Sequence, residues 1–300
     1  MNELEQYFEK NDKRLINKYQ HYFDVYDRHF SKYKGQEITI VEVGVFQGGS
    51  LQMWRSYFGP KAKIWGIDID PRCKLLEEQN TNIIIGSQED ETFLESIYDI
   101  TGPIDILIDD GGHTQKQQIK TFKILFDKIK NDGVYLCEDV HTSYWLSYGG
   151  GSNRMGTFIQ FTKKLIDKLN AFHSEENSLQ VDSFTKSAKS IHYYDSIVVI
   201  EKGIITKPTS KMTGHYSFNE KIKKSFFEKI IVRLIIILNK TLRRLFNETD
   251  FANVKNTEVN IINNHSEFTL DDEFIGKVNV IHNNVRPDWD TGNLARNWNQ

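Results

Sequence analysis

The feature that most constrains this chain is a series of short runs, apolar at nearly every position and separated by helix-length segments: ITIVEVGV from Ile38, then KIWGIDI, NIIIG, DILIDD and GVYLCED. A strand with one wet face alternates polar and apolar residues, whereas a strand that is apolar throughout is covered on both faces, as in a parallel sheet between two helix layers. The spacing predicts helices over 49–57, 72–79, 90–100 and 114–130, and IHYYDSIVVIEKG predicts a closing pair of strands near 191–201. The expected fold class is therefore α/β, a doubly wound and mostly parallel Rossmann-like sheet. Its core spans 36–203, after an N-terminal helical segment over 1–35 and before a C-terminal extension over 204–300.

In the N-terminal segment, Tyr7, Tyr19, Tyr22, Phe23, Tyr26 and Phe30 recur at helical spacing among charges, which predicts one or two amphipathic helices. The opening residues are charged with no apolar stretch, and Cys73 and Cys137 are the only cysteines. Both points fit a cytoplasmic protein without a disulfide framework. The formal net charge of −3 leaves no global basic surface, so a small-molecule partner is expected and nucleic acid is not.

The extension is different in character. Residues 219–246 set eight Lys and Arg against a dense Ile, Leu and Phe face, which predicts a basic amphipathic helix too short in its apolar runs to span a bilayer. Its apolar face is expected to pack on the protein or on a second copy, in preference to peripheral contact with a membrane surface.

The chemistry concentrates at the ends of the predicted strands. After the first come Glu42, Gly44, Gly48, Gly49 and Ser50, spaced as G-x-x-x-G-G. The G-x-G-x-x-G of a dinucleotide site is missing, which argues against a nicotinamide cofactor. Asp68, about twenty residues on, stands where a carboxylate receives ribose hydroxyls, and Ser87 and Gln88 stand at the next strand end, where an adenine rim would lie. The fourth and fifth runs end in Asp109-Asp110-Gly111-Gly112-His113 and Glu138-Asp139-Val140-His141. On neighbouring strands Asp110, Glu138 and Asp139 converge, and a hard divalent cation such as Mg2+ relieves their repulsion. His113, three residues past Asp110, suits a general base, while His141, Tyr144 and Trp145 suit contacts to a substrate such as a sugar ring.

The series VEVGVFQGGSLQMW, GIDIDP, IDDGGH and CEDVHTSYW resembles the class I S-adenosylmethionine-dependent methyltransferases, and among them the metal-dependent sugar O-methyltransferases of antibiotic pathways. The resemblance spans about residues 15–202. It implies a seven-stranded sheet and an enzyme that methylates a hydroxyl of a sugar or glycoconjugate. It also implies S-adenosylmethionine on Glu42, Gly44, Gly48, Gly49, Ser50, Asp68, Ser87, Gln88 and Asp109, magnesium on Asp110, Glu138 and Asp139, and His113 as base. Catechol O-methyltransferase has a similar metal spacing with Lys as base, so His113 sides with the sugar enzymes. Two other readings stand beside this one: another cofactor enzyme on the same fold, either a hydroxylase or an oxidoreductase relative, or a non-catalytic cofactor-binding partner subunit.

Overall fold

The computed structural model describes residues 1–215 and 217, together with positions 230, 233, 234, 237 and 238. The expected basic helix over 219–246 otherwise lies outside the described residues, as do the strand-like pieces after 251. The first compact unit runs from Met1 to Lys211.

Seven strands form one sheet: β1 (Thr39–Val43), β2 (Lys63–Asp68), β3 (Thr81–Ile85), β4 (Ile104–Asp109), β5 (Ile129–Cys137), β6 (Ala188–Tyr194) and β7 (Ile197–Lys202). Their order is 3-2-1-4-5-7-6, parallel except for β7, which runs antiparallel to β5 and to β6. Chain order reverses between β1 and β4, so the crevice at their carboxyl ends is where such a sheet receives a ligand. β1 and β4 are almost wholly buried, as their unbroken apolar runs require.

Helices α1 (Glu3–Glu9) and α2 (Tyr22–Phe30) precede β1. They are followed by α3 (Gly49–Phe58), α4 (Glu91–Thr101), α5 (Gln115–Leu125), α6 (Phe158–Leu169) and α7 (Ser183–Ser187). Capping explains several of their starts. The Asp90 side chain accepts from the Phe93 amide, Thr114 and Gln117 form a reciprocal capping box, and Thr157 accepts from the Gln160 amide.

Two expected helices differ. The segment predicted over 72–79 is a 3-10 stretch over Pro71–Leu76. Glu77 then turns extended, and its carboxylate takes the Ile83 amide at 2.8 Å, which ties the chain back to β3 instead of continuing a helix. The helix predicted over 114–130 ends at Leu125, because β5 begins at Ile129 and pairs with Ile104. Helix α6 carries no prediction; its polar residues mask a narrow buried stripe of Phe158, Thr162 and Leu165.

The N-terminal helices are part of the core. Tyr22, Phe23, Tyr26 and Phe30 of α2 are buried with Trp54 and Phe58 of α3. Tyr26 meets Trp54 edge-on at 5.1 Å between ring centroids and stacks on Phe30 at 6.1 Å. Among the described residues no helix is long and apolar enough to cross a membrane, and both cysteines are free and buried. Removing a fully buried ring leaves a cavity. Phe30→Ala should therefore cost about 3–5 kcal/mol in urea unfolding; a loss below about 1 kcal/mol would mean that α2 is an appendage.

Candidate active site

The carboxyl ends of β1 to β5 and the segment between α1 and α2 enclose two adjoining cavities. The first, of about 540 Å3, is lined by the β1–α3 turn, Asp68 to Asp70, Gly86 to Gln88, Asp110 to His113, and Leu15 to Lys18. The second, of about 320 Å3, is lined by Tyr19, Tyr22, Glu138, His141, Trp145 and Tyr148, among others. Asn17, Lys18, Asp110, His113 and Asp139 line both, so the junction of the cavities is the carboxylate cluster.

The glycine turn is shaped by close backbone approach. A Cβ on Gly44, where φ is +96°, would lie 2.0 Å from the Asp110 carbonyl oxygen. A Cβ on Gly49 would lie 2.3 Å from the carbonyl of Leu15, so the N-terminal segment is laid directly over the start of α3. Glu42 lies behind this turn. Its carboxylate accepts from the Ser50 hydroxyl at 2.7 Å and the Trp54 indole at 3.0 Å, and it does not line the cavity. Burial pushes it up to about 7. Asp68 takes the amides of Val45 and Phe46 on one oxygen and that of Asp70 on the other, so it fixes the turn while facing the cavity.

Gln88 is buried and fully engaged. Its amide donates to Asp109 at 2.7 Å and to Thr121 at 2.8 Å, and its oxygen accepts from the Gly112 amide. Asp109 is sealed beneath, also receives the Tyr135 hydroxyl, and is pushed up to about 7 by burial. It does not line the first cavity, and neither does Gly48, which caps α3 in a left-handed conformation. Gly44, Gly49, Ser50, Asp68, Ser87 and Gln88 do line it.

Asp110, Glu138 and Asp139 are brought together as the pairing of β4 with β5 requires. The cation among them is Lys18, a residue to which sequence reasoning gave no role. Its ammonium pairs with Asp110 and lies 2.7 Å from Glu138, with its side chain 4% exposed. Burial alone would lower its pKa, but the charges of Asp110, Glu138 and Glu42 outweigh that and hold it raised. Burial and then the Asp110 charge push the Glu138 carboxyl well up. Tyr22, read from its spacing as packing, donates its hydroxyl to Asp139 at 2.6 Å. Only the aromatic, charged composition of NKYQHYF set this segment apart, and a helical face explains that composition equally well.

His113 and Asp139 both adopt left-handed backbone, φ +56° and +53°, which non-glycine residues hold only where the surroundings enforce it. His113 Nε2 stands 3.6 Å from Asp139 and 3.9 Å from Asp110. The donor atoms of Asp110, His113 and Asp139 lie within 4.8 Å of one another. His141 hydrogen-bonds Ser196 and packs against Trp145 at 4.6 Å between centroids, on the wall of the second cavity. Tyr144 is exposed and outside both cavities.

The strand order and this crevice match the Rossmann-like fold of the class I methyltransferases. Residues 41–140 match the profile of a family described as a methyltransferase domain. The chain resembles, in particular, the sugar O-methyltransferases of antibiotic pathways. It is 36% identical over 198 residues to the 8-demethyl-8-(2-methoxy-alpha-L-rhamnosyl)-tetracenomycin-C 3'-O-methyltransferase of Streptomyces olivaceus, covering 61% of this chain and 50% of that protein. It is 33% identical over 189 residues to the mycinamicin VI 2''-O-methyltransferase of Micromonospora griseorubida, covering 59% and 47%. The chain thus spans about half the length of these curated relatives. The MycE methyltransferase of the mycinamycin biosynthetic pathway, solved in complex with Mg and SAH, superposes with a TM-score of 0.60 at 31% identity, covering 67% of this chain and 54% of that one.

Glu42 yields a test of the site's electrostatics. Its carboxyl titrates near 4.5 when unfolded and near 7 when folded, so the native state holds the proton more tightly. Its contribution to stability is therefore present below about pH 4.5 and is lost as the pH rises through about 7. Glu42→Gln cannot ionise and should gain roughly 1–3 kcal/mol relative to the unsubstituted chain between pH 5 and pH 8 in paired urea titrations. A difference that does not change with pH would contradict the assignment.

Proposed function

We propose that this protein transfers a methyl group from S-adenosylmethionine to a hydroxyl of a sugar or glycoconjugate, with the help of a hard divalent cation such as Mg2+. The observation that carries this reading is the carboxylate cluster at the junction of the two cavities. Donor chemistry supports the cation. Asp110, His113 and Asp139 put donor atoms within 4.8 Å of one another, and the Glu138 carboxylate stands on the wall of the same cavity, an oxygen-rich set of the kind a hard cation takes. The likeness to MycE, whose structures contain Mg and SAH, and, in one of them, mycinamycin VI, supports the same assignment.

In this reading Asp110, Glu138 and Asp139 hold the cation. The β1–α3 turn with Gly44, Gly48, Gly49 and Ser50 holds the methionine part of the cofactor, Asp68 the ribose, and Ser87 the adenine side. Gln88 stands with Ser87 on the adenine side, while Glu42 and Asp109 act from beneath, fixing the turn and the strand ends that line the pocket. When bound, the cofactor supplies an electrophilic methyl group and the cation a Lewis acid that lowers a hydroxyl's pKa. His113 then accepts the hydroxyl proton on Nε2, the ring nitrogen turned toward the cluster. Its strained backbone fixes that nitrogen at the junction. Trp145 and His141, with Tyr19 and Tyr148, offer rings to the apolar face of a sugar, and positioning of this kind supplies much of the rate in such a reaction.

Turnover is measured as S-adenosylhomocysteine release with a panel of deoxysugar glycosides. Asp110→Asn or Glu138→Gln should abolish it and leave cofactor affinity within a few-fold. Undiminished activity in excess chelator would overturn the metal reading. His113→Ala should lower kcat by roughly 10²–10⁴ with metal and cofactor binding retained; a value within a few-fold of the unsubstituted chain would move the base to another group.

A further inference from the structure

The ammonium of Lys18 is the least expected group in the site. It comes from the segment between α1 and α2, yet it is nearly sealed from solvent between Asp110 and Glu138, which stand at the ends of β4 and β5. The segment is fastened on both sides of that lysine. Arg14 donates to the Leu76 carbonyl at 2.8 Å and pairs with Glu78 at 3.1 Å, and Tyr22 donates to Asp139. Lys18 is thus delivered to the cluster by fixed backbone, and its placement is not that of a surface side chain settling on the nearest charge.

We infer that Lys18 is the internal counter-cation of the carboxylate cluster, and that its ion pairs and a bound divalent cation weaken one another. This rests on the metal-dependent reading above. The ammonium engages one oxygen of Asp110 and one of Glu138, two of the three carboxylates that would hold the metal. A hard cation needs those carboxylates as close ligands and brings two positive charges to the same few ångströms. Either cation relieves the repulsion among the three carboxylates, but each also reduces the negative charge that attracts the other. Binding linkage then makes the antagonism reciprocal: whatever Lys18 takes from metal affinity, the metal takes from the Lys18 ion pairs. The consequence is a site whose carboxylates are never left uncompensated and whose metal affinity is set by a residue of the N-terminal segment.

Two measurements on the full chain test this, and neither reads activity. Isothermal titration with Mn2+ should show Lys18→Gln binding the metal at least tenfold more tightly than the unsubstituted chain. Amine acetylation mapped by mass spectrometry should show Lys18 protected in chelator and labelled at saturating Mg2+ in the unsubstituted chain, which needs no variant to fold. Equal Mn2+ affinity of the two chains, or Lys18 labelling indifferent to Mg2+, overturns the inference and leaves the metal reading standing. Failure of both chains to bind Mn2+ overturns the metal reading and this inference with it.

Discussion

Carboxylates that converge at the end of a buried sheet must be matched by positive charge, and much of this molecule is arranged around that constraint. Pairing β4 with β5 in parallel register brings Asp110, Glu138 and Asp139 to one edge. Glu138 is almost wholly buried, and an isolated charge at that depth would be too costly to keep. The chain answers with Lys18 on two of the carboxylates and the Tyr22 hydroxyl on the third. Both donors come from the N-terminal segment. Its helices therefore have to be part of the core, and the aromatic packing of Tyr26 and Phe30 on Trp54 makes them so.

The same economy of positions runs through the glycine turn. Gly44 lets the backbone after β1 meet the Asp110 carbonyl, and Gly49 lets the Leu15 carbonyl cross the start of α3. Asp68 gathers the amides of the turn, and Glu42 anchors α3 from below. The glycine turn, the acidic cluster and the N-terminal segment are thus held together by close backbone approaches at Gly44 and Gly49.

How much of this was legible follows from the range of each signal. The strands were readable because burial on both faces forces unbroken apolar runs, visible within five to eight residues. The motif residues at strand ends were readable because parallel topology alone takes them to one edge, and Asp110, His113, Glu138 and Asp139 do meet there. What local sequence does not encode is which groups fill the second row. Glu42 and Asp109 read as cofactor contacts, but they lie behind the cavity wall, Glu42 taken up by Ser50 and Trp54 and Asp109 by Gln88 and Tyr135, while Gln88 lines the cavity and still bonds Asp109 and Thr121. Lys18 lies 92 residues from Asp110 and 120 from Glu138 in sequence, and no spacing rule reaches that far. The 3-10 stretch at Pro71 escaped for the opposite reason: its composition suits a helix, and a local bond, the Ile83 amide donating to the Glu77 carboxylate only six residues back, decides otherwise.

The central claim is that the carboxylate cluster is a divalent-cation site standing between cofactor and acceptor. Anomalous diffraction from crystals grown with Mn2+ and S-adenosylhomocysteine tests it most directly. One manganese peak is expected within ligand distance of Asp110, Glu138 and Asp139, with the cofactor in the cavity lined by the β1–α3 turn and Asp68. A peak elsewhere, or full cofactor occupancy with no manganese at the cluster, would contradict it.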